Sequence, residues 1–75
     1  MAAPMDDVEQ LRSAVLKLAH ELAEALTAAN AYLEACQQLE GRSDPARLHE
    51  AISKAIEQTK RAGDLVAELR SIASA

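Results

Sequence analysis

Seventy-five residues carry no tryptophan, no phenylalanine, one tyrosine, two glycines, two prolines and one cysteine. Each scarcity excludes something. Without large aromatics, a chain this short has little with which to fill a core of its own. A lone cysteine, Cys36, rules out an internal disulfide and agrees with a reducing compartment. Two isolated glycines cannot form a phosphate-cradling loop, so the sequence shows no means of binding ATP. No apolar run approaches the roughly 20 residues of a membrane span. Nor does Met1 to Pro4 have the basic start and apolar run of a signal peptide. With 8 basic against 12 acidic residues the net charge is −4, and the one basic pair, Lys60-Arg61, is no nucleic-acid patch. The expectation is a cytoplasmic protein that binds neither nucleic acid nor membrane.

What is present is helix. From Asp6 to Glu40 there is no glycine or proline, and apolar residues recur at alternating spacings of three and four. Written as a heptad, Val8, Leu11, Val15, Leu18, Leu22, Ala25, Ala29, Tyr32, Cys36 and Leu39 take the inward a and d positions. Residues 1–5 read as a frayed leader, with Asp6 or Asp7 as the helix cap. Gly41 is the natural stop, residues 41–44 form a turn, and Asp44-Pro45 restarts a helix as N-cap and first helical residue. So short a turn makes the helices antiparallel. The second helix, about 45–72, has a seam of Leu48, Ile52, Ala55, Thr59, Ala62, Val66, Leu69 and Ala73, widened by Ile56, Leu65 and Ile72. Gly63 within it reads either as a point of close helix approach or as a tolerated glycine. The sequence therefore predicts one all-α domain over residues 1–75. Its antiparallel hairpin has a first helix of about 6–40, and two copies pair into a four-helix bundle to cover the wide stripes.

The candidate chemistry lies on the first helix. His20 falls at heptad position f, away from the seam, with Glu21 beside it. A zinc-protease motif would need a second histidine four residues on, where Glu24 stands, so no metal site is expected. His49, near the turn, reads as a solvated surface residue. Two helices supply neither oxyanion hole nor pocket for hydrolysis. What remains is nucleophilic attack by the imidazole on a phosphoryl group brought by another protein. A neutral imidazole is a competent nucleophile near pH 7, and such transfer asks mainly for positioning and charge neutralisation. Glu21 could hold one ring proton and direct the other nitrogen outward. Beyond His20 the outer surface turns small, through Ala23, Thr27, Ala28, Ala31 and Ala35, which allows another backbone to come close.

His20-Glu21-Leu22, Leu26-Thr27-Ala28 and Asn30-Ala31-Tyr32-Leu33 resemble the H-box of the dimerisation and histidine-phosphotransfer domain of sensor histidine kinases. The likeness is greatest to the type found in rhizobial oxygen-sensing kinases. Ala55 to Val66, with Arg61-Ala62-Gly63, and Leu69-Arg70 resemble that family's second helix, so the likeness covers about residues 8–72. It implies a homodimeric four-helix bundle with His20 as phosphoacceptor and Glu21 as the adjacent acid. It also implies a response-regulator receiver docked below the histidine, across Glu24, Thr27, Ala28, Ala31 and the start of the second helix. The family's H-box usually continues with Gln, Asn or Thr and then Pro; here Glu24 and Ala25 stand there. The missing proline removes a kink, and a carboxylate one turn from His20 would repel an incoming phosphoryl group.

The leading expectation is a stand-alone two-component phosphotransfer or adaptor protein, not a self-sufficient kinase. It would exchange a phosphoryl group between His20 and a receiver, with no cofactor of its own and Mg²⁺ held by the partner receiver. The rival is a non-catalytic antikinase or decoy that binds a receiver or a sensor kinase through the same bundle. An excised piece of a longer kinase and a purely structural dimerisation hairpin are the blander readings.

Overall fold

The computed structural model describes residues 5–74. They form two helices, α1 (Met5–Leu39) and α2 (Pro45–Ser74), packed along each other as an antiparallel hairpin. At about 1.5 Å per residue, α1 is about 52 Å long and α2 about 45 Å. Alanine, leucine and glutamate dominate α1, which runs unbroken through Glu24 and Ala25. The structure is thus an all-α hairpin.

The turn is built from local backbone chemistry. Gly41 adopts φ 79°, a left-handed conformation in which any β-carbon would be strained. Before it, the Glu40 amide donates to the Gln37 carbonyl (3.2 Å); after it, the Arg42 amide donates to the Leu39 carbonyl (3.1 Å). These short-range bonds draw Glu40 out of the helix and into the turn. Asp44 then caps α2. Its Oδ1 accepts from the Arg47 amide at 3.2 Å, and its carbonyl accepts the first helical bond from the Leu48 amide at 3.2 Å. Oδ2 adds a 3.6 Å ion pair with Arg47 Nε. At the other end α1 is already helical at Met5, which puts Asp7 inside the helix rather than at its cap. The leader residues 1–4 and the side chain of Asp6 lie outside the described residues. α2 runs slightly past its expected end near residue 72 and stays helical to Ser74, whose hydroxyl donates to the Arg70 carbonyl at 2.7 Å.

The core is small and largely methyl. Ala25, Ala29, Ala51, Ala55 and Ala62 are buried together with Leu18 and Leu65. Leu22, Leu69 and Ile72 pack on the cluster of Leu18, Ala25, Ala62 and Leu65, in the half away from the turn. Toward the turn, Tyr32, Cys36, Leu39 and Leu48 are half-buried.

The seam differs from the expected one by a rotation of each helix. On α2 the face toward α1 is Leu48, Ala51, Ala55, Gln58, Ala62, Leu65, Leu69 and Ile72. It shares Leu48, Ala55, Ala62 and Leu69 with the expected seam. It replaces Ile52, Thr59, Val66 and Ala73 by the residue preceding each. On α1 the covered face is centred on the d residues Leu18, Ala25, Tyr32 and Leu39. It takes in Ala14, Glu21, Ala28 and Ala35 on one flank as well as the a residues from Leu22 onward. Val8 and Leu11, near the end of the hairpin away from the turn, stay exposed. The reason for the rotation is steric. Two helices joined by a tight turn come closest where small side chains meet, so alanines take the seam and the bulkier Ile52 and Val66 move aside.

That rotation sorts the outer surface. In an antiparallel pair, residues flanking the seam at equivalent heptad positions fall on the same side of the hairpin. One side collects Leu16, Leu26 and Leu33 from α1 with Ile52, Ile56 and Val66 from α2, all 40–59% exposed. On the opposite side α2 carries Arg47, Glu50, Lys54, Glu57, Arg61, Asp64 and Glu68. The hairpin has one apolar side and one charged side. Gly63 lies on the apolar side, and a β-carbon there would meet nothing within 4 Å, so it marks no close approach within the chain.

Candidate functional site

His20 stands near the middle of α1, on the surface turned away from α2. Its side chain is 76% exposed. The acid in contact with it is Glu24, not Glu21: Glu24 Oε2 lies 3.4 Å from His20 Nε2. Helix geometry explains the difference. Successive residues point about 100° apart, so a residue and its immediate neighbour do not face each other, whereas positions i and i+4 share a face. Glu21 is half-buried on the flank toward α2 and makes no ion pair with His20. The His20–Glu24 pair was legible as a spacing of four.

Below the histidine the small-residue strip is a shallow depression in the surface of α1. It is lined by His20, Ala23, Glu24, Thr27, Ala28 and Ala31. Its walls are methyl groups and one hydroxyl, with a single carboxylate beside the imidazole. Five of the six expected site residues, His20, Glu24, Thr27, Ala28 and Ala31, thus line one concavity; Glu21 does not. The concavity exists because, apart from Glu24, no side chain larger than threonine lines this face between His20 and Ala31. A second groove runs between the helices beside the turn, with Tyr32, Arg42, Arg47 and Glu50 among its lining residues. It extends the accessible surface to the start of α2.

Other sites of chemistry are sparse. His49, on the first turns of α2, is exposed and, among the described residues, has no carboxylate within ion-pair distance. Cys36 is a free, half-buried thiol at the hairpin seam. Among the described residues there is no cluster of three or more His, Cys, Asp or Glu side chains placed to hold a metal ion. Among the same residues, no helix is long and apolar enough to cross a membrane.

No match was found among curated proteins or among solved structures. The family model of the His Kinase A (phospho-acceptor) domain, by contrast, matches residues 10–75, which takes in both helices, the turn and His20. With nearly the whole chain accounted for, this protein belongs to the His Kinase A phospho-acceptor domain family of two-component signalling.

Proposed function

We propose that His20 is the phosphoacceptor and that the chain exchanges its phosphoryl group with a response-regulator receiver in the cytoplasm. The observation that carries this reading is the placement of His20 within the matched phospho-acceptor domain. It is exposed, mid-helix, at the head of a depression shaped for another backbone. His49 is exposed too but heads no such depression. In the transfer, a ring nitrogen attacks the phosphorus of an aspartyl phosphate in line. The N–P bond forms as the P–O bond to the carboxylate breaks, and the reverse reaction runs along the same line. The chain supplies the nucleophile and the docking surface of Glu24, Thr27, Ala28 and Ala31. The receiver supplies the carboxylate and Mg²⁺. Glu21, turned toward α2, serves to orient the helix segment rather than to touch the imidazole.

The active unit in this reading is a homodimer. The apolar side of the hairpin, with six large aliphatic side chains left 40–59% exposed, is covered by the same side of a second copy to make a four-helix bundle. A second reading, an antikinase or decoy, has one observation in its favour: a carboxylate in contact with the very imidazole that would react.

Phosphotransfer from a panel of phosphorylated receivers and active histidine kinases, with Mg²⁺ present, separates the two. Acid-labile label on the wild type and none on His20→Ala is the expected result. Binding of a receiver or kinase without label on either protein replaces the proposal with the decoy reading.

A further inference from the structure

We propose that Arg70 of the second copy completes the His20 site: in the dimer its guanidinium stands beside the imidazole and receives the anionic phosphoryl group. The inference deepens the reading of the chain as a homodimeric phosphoacceptor and rests on it.

A single chain leaves the site short of positive charge. The charged group beside the imidazole is a carboxylate, Glu24, and the rest of the depression is uncharged. An incoming phosphoryl group is an anion, and its transfer is helped most by a fixed cation at its oxygens. Arg70 is a cation without an anion. It is exposed, and among the described residues no carboxylate lies within ion-pair distance of it. Its own helix offers none one turn away in either direction, where Val66, Ala67, Ala73 and Ser74 stand.

The dimer brings the two together. Arg70 lies two heptads beyond Ile56 and so falls on the apolar side of the hairpin, toward the end away from the turn. Its level follows from the core. Ala25 and Ala62 share one buried cluster, so Arg70, eight residues past Ala62, is level with Lys17, eight before Ala25. That is three residues from His20, about 4.5 Å along the helix. The Arg70 side chain leans toward the N-terminus of α2, which is toward the level of His20. Within one chain the two stay apart, because His20 is turned away from α2. A two-fold axis along the helices sets α1 of each copy against α2 of the other and keeps these levels. The exposed aliphatic residues then interleave along the interface as Leu16, Val66, Leu26, Ile56, Leu33 and Ile52, alternately from α1 and from the second copy's α2. In that register the second copy's Arg70 lies over Leu16 and Ala19, and His20, one turn beyond Leu16, borders the same groove. This edge of α1 carries Arg12, Ser13, Leu16, Ala19, His20 and Ala23, with no acid to neutralise the guanidinium.

A small donor, phosphoramidate, isolates the step. A neutral ring nitrogen of His20 attacks phosphorus and the N–P bond forms. The P–N bond to the leaving ammonia breaks, and ammonia departs with that electron pair. The ring becomes a phosphorylated imidazolium, and the second copy's Arg70 pairs with the phosphoryl oxygens throughout.

The test uses the whole chain as wild type, Arg70→Gln, Arg70→Lys and His20→Ala. Mass spectrometry at neutral pH follows phosphorylation at His20, with His49 as the reference histidine in the same molecule. Two unit charges about 4 Å apart in water are worth roughly fivefold in rate. Arg70→Gln is expected to slow labelling of His20 severalfold relative to His49, by a factor that shrinks as salt is raised. Arg70→Lys keeps the charge and most of the rate. Refolding Arg70→Gln with a large excess of His20→Ala places nearly every intact His20 beside an intact Arg70 from the other chain, and should restore the wild-type rate. Equal labelling of wild type and Arg70→Gln overturns the proposal, as does a slow rate that the mixed dimer leaves unchanged. Sedimentation equilibrium on the same samples separates the readings. A monomeric wild type overturns the homodimer and this inference with it. A dimer that shows the Arg70 effect but accepts no phosphoryl group from any receiver or kinase sinks the functional reading alone.

Discussion

Replacing Ile56 by aspartate tests whether the apolar side of the hairpin is an interface. Ile56 is 50% exposed in the single chain, on the side it shares with Leu26, Leu33 and Ile52. Fully burying an isoleucine is worth about 1.5–3 kcal/mol, so covering the exposed half contributes about 1 kcal/mol. A two-fold symmetric dimer contains the residue twice, so loss of both copies weakens association by about 2 kcal/mol, roughly thirtyfold in Kd. Aspartate adds the cost of taking an unpaired carboxylate out of water, which makes that figure a lower bound. Sedimentation equilibrium over a dilution series reads the constant directly. Lys54→Asp, which places the same aspartate on the opposite side with an even larger change of charge, is the control and should leave the dimer unchanged. Equal weakening by both variants, or a wild-type chain that stays monomeric at high concentration, would refute the assignment of this side to a second copy.

Three further outcomes follow from the hairpin itself. Asp44→Ala removes the acceptor of the Arg47 amide and the Arg47 ion pair, and should cost about 1 kcal/mol in denaturant unfolding. Gly63→Ala should stabilise by roughly 0.5–1 kcal/mol, since the new methyl group meets nothing within 4 Å. A loss of stability instead would place a second copy's backbone against Gly63. Ala25 is wholly buried, so Ala25→Leu should force the helices apart at a cost of about 1–3 kcal/mol, seen as a lowered Tm.

The parts of this structure that were legible in the sequence are those decided within a few residues. Gly41 needs no neighbour to favour a left-handed turn, and Asp44-Pro45 starts a helix by its own side chain and ring. The choice of seam is a different kind of question. From Leu48 a repeat of three and four is satisfied through Ala51 or through Ile52, because both are apolar. Hydropathy alone favours isoleucine. What decides is a distance between helices, set by the turn and by the alanines facing from α1, which no single helix contains. The site shows the same division. Exposure of His20 and the small strip beneath it follow from the helical period, so both could be read. The identity of the acid at the imidazole turned on a choice between Glu21, adjacent in sequence, and Glu24, adjacent in space.

The distribution of bulk along the seam has a mechanical consequence. Leucines at 18, 22, 65 and 69 interlock in the half away from the turn, whereas the half nearer the turn is closed chiefly by the methyl groups of Ala29, Ala51 and Ala55. A methyl group reaches barely past the backbone and sinks into no deep hole, so alanine-faced helices resist twisting and sliding less than leucine-faced ones. The imidazole is thus mounted on the stretch of the hairpin that the leucines interlock. The surface that would meet a visiting protein lies over its more compliant stretch, and such a visitor would find a fixed target above a bed that gives.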